Sequence, residues 1–295
     1  MVNDNKRFQG RCALVTGASA GIGKAYAEGL AARGANVVLV ARRRDRLEEL
    51  AQRLRAEFGI HAVAVAADLA HPDAATQVKA ETDALGLEID ILVNNAGFGT
   101  YGPLHQVSPA ANHAQVMVNV GALVAMTHQY LPGMIAADRG TVMNVSSIAA
   151  LQPIPYMSVY GASKAFILSF TEALWLETRK SKVQVLGVCP GATDTEFFDV
   201  IGNGEETLFG GKVSPSRVVD ESIAALDRRP PSVIIGRRNN LTALIPRFVT
   251  RAAAIKFSGA MTRPRTEHSV PAGGMANPPA GSPVGAPIPT LRSGR

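Results

Sequence analysis

Cysteine is scarce in these 295 residues: only Cys12 and Cys189 occur, each inside an apolar run of strand length. That excludes a disulfide-stapled scaffold and leaves two buried thiols as the expectation. No C-x-x-C, H-E-x-x-H or calcium-loop spacing is present, so no metal is expected. The opening MVNDNKRFQG lacks the apolar stretch of a secretory signal, which points to a cytoplasmic chain. Charged side chains are missing altogether from Ile91 to Ala137. Asn94, Asn95, Pro103, His105, Asn119 and His128 interrupt that segment, so it makes a poor membrane span and reads as a buried strand followed by a buried helix. Acids are nearly absent from the C-terminal end, where nine Arg/Lys follow from Arg237 against the single acid Glu267. Residues 1–236 hold 21 basic and 23 acidic side chains, so the net charge of +6 belongs to the tail. No nucleic-acid partner is expected for the main domain.

What is present is a repeating alternation. Apolar runs at 12–17, 36–41, 61–68, 89–97, 140–147, 183–191 and 232–236 are separated by helical patterns. Their continuous apolarity implies parallel strands buried on both faces. Leu47, Leu50, Leu54 and Phe58 recur at helical intervals, and Ser214-Pro215 forms an N-cap and first-turn pair. The predicted fold is α/β: one doubly wound Rossmann-like domain with a parallel sheet of about seven strands, plus a C-terminal helical and disordered extension. The predicted boundaries are 1–9 for an N-terminal extension, 10–237 for the catalytic domain, 238–263 for a basic amphipathic helix and 264–295 for a disordered Pro/Gly-rich tail. The basic helix is expected either to lie on a membrane, as a peripheral contact, or to pack against the domain.

The segment TGASAGIG (16–23) follows the first strand and opens the first helix. Glycines at 17, 21 and 23 allow a tight turn and close approach to a ligand, and the helix N-terminus favours a pyrophosphate. Candidate contacts are Gly17, Ser19, Gly21, Ile22 and Gly23. At the end of the second strand, an acid would bind the ribose hydroxyls and repel a 2′-phosphate. Ala41 stands there, followed by Arg42, Arg43 and Arg44. NADP(H) is therefore expected rather than NAD(H), with Arg42 the first candidate for the phosphate and Arg43 the second.

With TGASAGIG, AADL containing Asp68, NNAG (94–97), Asn119, NVSS (144–147), YGASK (160–164) and PGATDT (190–195) in this order, the chain resembles the short-chain dehydrogenases/reductases over roughly residues 10–237. The resemblance implies an oxidoreductase that interconverts a carbonyl and an alcohol. It implies a catalytic set of Asn119, Ser147, Tyr160 and Lys164. Tyr160 would exchange the proton. Lys164, one helical turn on, would lower the phenol's pKa and hold the nicotinamide ribose. Ser147 would bind the substrate oxygen, with Ser146 pointing the other way. Asn119 would hold a water that links Lys164 to solvent. Further cofactor contacts would be Asp68, Leu69, Asn95, Ala96, Gly97, Pro190, Gly191 and Thr193. A homodimer or homotetramer, pairing through the helices that bear Asn119 and Tyr160, is also implied.

The substrate wall is expected from 98–101, 151–156 and an apolar lid at 195–208, with Phe98, Gln152, Tyr156, Phe197 and Ser147 as contacts. Few charges project there, so a small-molecule substrate of apolar or amphipathic character is expected. The alternative is a non-catalytic dinucleotide-binding sensor or scaffold recruited by its basic tail. A pure binder would have no need of Ser147, Tyr160 and Lys164 together.

Overall fold

Seven strands form one parallel sheet in the order β3-β2-β1-β4-β5-β6-β7. The computed structural model describes residues 6–196, 213–236, 239–240 and 248–264. The strands are β1 (Cys12–Thr16), β2 (Asn36–Ala41), β3 (Ala62–Ala66), β4 (Ile91–Asn94), β5 (Thr141–Val145), β6 (Gln184–Cys189) and β7 (Ser232–Ile234). Each lies within one of the seven apolar runs. Most are shorter than predicted, because the last residues of several runs leave the sheet to build the turns at its C-terminal edge.

Burial on both faces explains the continuous apolarity. Side chains alternate along a strand, so Ala13, Val15, Val37 and Leu39 join one core layer, while Cys12, Leu14, Val38 and Val40 join the opposite one. The first layer is covered by α1 (Gly21–Ala31), α2 (Arg44–Phe58) and α7 (Pro215–Ala225), through Tyr26, Leu47, Leu54 and Val218. The second is covered by α3 (Ala74–Ala84), α5 (Leu123–Ala136) and α6 (Ser158–Glu177), through Val78, Met126 and Leu174. The expected N-cap is present, and α2 ends in a glycine cap. Gly59 closes α2 in the left-handed region at φ 66°, and the Ser214 hydroxyl accepts from the Arg217 amide at the start of α7. Both cysteines are free and buried.

The uncharged segment is indeed strand and then helix. After β4, α4 (Pro109–Val116) runs through a π-helical turn, Met117–Ala122, into α5. Such wide turns add one residue per hydrogen-bonded ring and are found mostly at functional positions; this one carries Asn119. The strand order reverses direction between β1 and β4, and ligands of doubly wound sheets bind at that reversal. A last helix, α8 (Arg251–Thr262), packs on the loop before α6.

Candidate active site

The turn after β1 and the loop after β4 are locked together by one hydroxyl. Thr16 Oγ1 accepts the amides of Asn95 and Ala96 at 2.9 and 3.0 Å, and donates to Val93 O at 3.3 Å. Asn95 Nδ2 donates to Thr16 O at 2.9 Å. Gly17 sits at φ 68°, where a Cβ would fall 2.9 Å from Ala96 Cα, and a Cβ on Gly23 would collide with the Gly17 carbonyl oxygen. Larger residues would prise the two loops apart. No side chain caps α1 and its first turn holds no acid, so its amides face outward beside the glycines. These features fit a dinucleotide pyrophosphate.

The arginine corner lies beside this turn. Arg43 reaches back to Ser19 Oγ at 3.0 Å, and both Arg43 and Arg46 pair with Glu196, at 3.2 and 2.9 Å. The Arg46 and Arg43 guanidinium groups hold the Glu196 carboxyl below its usual range. Arg42, the first candidate for a phosphate ligand, is exposed at the same turn. Asp68 is exposed and accepts the Ala70 amide at 3.0 Å, with Leu69 buried next to it. Pro190 O accepts the Ile148 amide at 3.0 Å, tying the turn after β6 to the end of β5. Thr193 bridges to Val213, and Gly191 packs against the Asn239 side chain.

The four candidate catalytic residues converge at the C-terminal edges of β4 and β5. Ser147 leaves β5 in an extended conformation, and its hydroxyl is hydrogen-bonded to the Tyr160 phenol. Ser146 faces away and donates to Lys164 O at 2.7 Å. Lys164 is 5% exposed; its Nζ donates to Val145 O at 2.8 Å and lies 5.7 Å from the centre of the Tyr160 ring. Asn119, fully buried, accepts the Phe98 amide through Oδ1 and donates through Nδ2 to Phe98 O and Ser163 Oγ, all at 3.0 Å. A Cβ on Gly97 would lie 3.1 Å from Asn119 Oδ1 and 3.5 Å from Lys164 Nζ, so Gly97 closes the gap between them.

Burial dominates the titration of the pair. It pushes the Tyr160 phenol up to about 12, with the Ser147 hydrogen bond working against it. It pushes the Lys164 ammonium down to about 8, with Cys189 opposing. Desolvation is the largest cause of both shifts in this structure. Four-residue spacing puts the two side chains on one helix face, with the ammonium 5.7 Å from the centre of the phenol ring.

Among the candidate substrate contacts, Phe98, Gln152 and Tyr156 are half-buried, while Phe197 and most of the expected lid lie outside the described residues. Tyr156 takes φ 64°, a strained conformation for an aromatic residue, and its carbonyl accepts the Gly102 amide at 2.8 Å. The two expected walls are therefore joined. Sequence reasoning missed Thr16, Ser163 and Glu196. The first two stood inside quoted motifs, whereas Glu196 depends on a long-range pairing with no local signal.

The family model described as short chain dehydrogenase matches residues 11–206. The chain is 35% identical over 233 residues to a 7beta-hydroxysteroid dehydrogenase of Mediterraneibacter gnavus, covering 78% of this chain and 88% of that one. It is 35% identical over 247 residues to the very-long-chain 3-oxoacyl-CoA reductase of Rattus norvegicus, covering 81% and 77%. Among solved structures, a short-chain dehydrogenase from Sphingobium yanoikuyae in complex with NADPH superposes with a TM-score of 0.73 at 32% identity, covering 88% of this chain and 98% of that one. A 7beta-hydroxysteroid dehydrogenase structure gives a TM-score of 0.77 at 33% identity, covering 87% and 99%.

Proposed function

Because the chain belongs to the short-chain dehydrogenase/reductase family, we propose that it is an NADP(H)-dependent oxidoreductase interconverting a carbonyl and a secondary alcohol, with residues 10–237 as its catalytic domain. The observation that carries this reading is the Ser147–Tyr160 hydrogen bond with Lys164 beside the phenol ring. A carbonyl that becomes an alkoxide needs a proton at its oxygen, and the reverse reaction needs a base there. Tyr160 is that acid or base. Ser147 holds the substrate oxygen against it, and the charge of Lys164 favours the phenolate when one forms. Asn119 fixes the Phe98 backbone and Ser163, and so holds the floor on which Lys164 and Gly97 meet.

NADP(H), when bound, supplies or accepts the hydride. The glycine turn and the α1 amides would hold its pyrophosphate, and Arg43 with Arg42 its 2′-phosphate. Asp68 and Leu69 would flank the adenine, and Asn95 to Gly97, Pro190, Gly191 and Thr193 would line the nicotinamide end. Solved neighbours in complex with NADPH support that choice. The relatives' names describe a sterol-type alcohol and a long acyl chain. They support a bulky apolar or amphipathic substrate, in keeping with the half-buried Phe98 and Tyr156. Phe166 and Leu176, exposed along α6, support pairing of two chains through that helix.

Replacing Tyr160 by Phe tests the mechanism. Turnover measured as NADPH absorbance against a panel of ketones should fall at least about 100-fold, with NADPH affinity kept. Full activity in that variant would end the assignment.

A further inference from the structure

Helix α8 packs in an inverted sense. The strip it turns inward is small and hydroxylic: Ala254, Ser258 and Thr262 are buried at four-residue intervals. Ser258 donates to Pro153 O and Thr262 to Pro155 O, each at 2.9 Å, and the Tyr101 hydroxyl donates to Thr262 O at 2.8 Å. Its large apolar side chains Ile255 and Phe257 face out, as do Phe248 and Val249 just before its cap. Phe248 is 84% exposed, Phe257 58%, Val249 43% and Ile255 36%. These are four of the ten large exposed hydrophobics of the described residues, gathered within ten consecutive positions. Residues 248–264 also carry Arg251, Lys256 and Arg263 and no acid at all.

A surface that combines exposed aromatic residues with cations of one sign matches the interface of an anionic bilayer, where acyl chains take the rings and headgroups pair with the cations. Twelve residues of helix span about 18 Å, well short of the roughly 30 Å hydrocarbon layer. No described helix is long and apolar enough to cross a membrane. The helix is thus suited to lie on a bilayer rather than to span one. A second copy fits the face poorly, because a two-fold contact would bring together two copies of the same acid-free surface, with no carboxylate of 248–264 to pair with Arg251 or Lys256.

We propose that the outward face of α8, with Phe248 and Val249 at its start, seats the protein on an anionic lipid surface. The inward strip of the same helix clasps Tyr101 and the Pro153–Pro155 loop, two of the expected substrate walls. Docking would therefore set the substrate opening next to the lipid, which suits an amphipathic substrate drawn from the bilayer. The docking itself does not depend on the hydride-transfer reading.

Co-sedimentation of the full chain with phosphatidylcholine vesicles, with and without phosphatidylglycerol, tests it. Binding should require phosphatidylglycerol and weaken at high salt. The double variant R251E/K256E should bind at least about thirty-fold more weakly, and F248S/V249S should also lose binding. Both variants should reduce a water-soluble ketone at the wild-type rate. Equal binding to both vesicle types, no binding to either, or undiminished binding by R251E/K256E would overturn the proposal. So would a finding that F248S/V249S dissolves an oligomer of the chain, which would assign the face to a second copy. A catalytically dead chain that still binds vesicles would separate this inference from the proposed activity.

Discussion

Lys164→Met should stabilise the protein while it destroys the activity. The wild-type ammonium is 5% exposed, and burial moves its pKa from 10.5 to about 8. At 1.36 kcal/mol per decade, holding that charge costs about 3 kcal/mol at neutral pH. Its bond to Val145 O, at 2.8 Å, returns about 1–2 kcal/mol. The variant should therefore be more stable at pH 7 by about 1–2 kcal/mol. The pH dependence is the sharper test. Below pH 8 folded and unfolded chains both carry the proton, and the burial cost is fully present. Between pH 8 and 10.5 the unfolded chain holds a proton that the folded one has released, so wild-type stability rises with pH through that window. Titrating groups that do not interact with Lys164 cancel in the comparison; Cys189, whose charge is coupled to it, does not. Urea unfolding of wild type and variant from pH 7 to pH 10 should show the stability difference moving by about 2–3 kcal/mol in favour of the wild type, enough to cancel or reverse the variant's advantage. An advantage that stays constant over that range would refute the argument that Lys164 is held charged against its burial.

The arginine corner gives two further expectations. Arg43→Ala should weaken NADPH binding about ten-fold while leaving NADH binding unchanged, because a guanidinium bound to phosphate makes a charge-assisted bond that NADH cannot offer; fluorescence titration with both cofactors checks this, and equal losses would remove Arg43 from the phosphate site. Glu196→Gln should tighten NADPH binding by about three-fold, since Glu196 now occupies Arg43 and Arg46, and exposed pairs of this kind are individually weak; weaker binding in the same titration would show that Glu196 organises the corner rather than competing for it.

The sheet was legible because its signal is local. Seven uninterrupted apolar runs, each too short for a helix of ordinary length, leave little alternative to strands buried on both faces. The opposite orientations of Ser146 and Ser147 followed from strand periodicity in the same way. The π-helical turn at Met117–Ala122 left no such trace, since widening a helix by one residue depends on what Asn119 finds to bond with across the domain. The packing of α8 was equally hidden. Small residues among cations read the same whether they face a protein or a lipid, and only the hydroxyls of Ser258 and Thr262, set against Pro153 and Pro155, distinguish the two faces. Spacing also placed Tyr160 and Lys164 on one helix face without weighing desolvation, which fixes the direction of both pKa values.

That desolvation has a consequence for the chemistry. A phenol at about 12 is protonated throughout the neutral range, so the site stands ready to give a proton to a carbonyl oxygen. The reverse reaction must first make the phenolate, which at pH 7 costs about 7 kcal/mol in this environment. That figure already includes the opposing effect of the Ser147 hydrogen bond. Lys164 can offset more only while it keeps its own proton, that is, below about pH 8. The two groups therefore work against each other in pH: alkaline conditions that would ionise Tyr160 also remove the charge that supports the phenolate. The burial that makes Lys164 costly to fold is the same burial that keeps Tyr160 a proton donor.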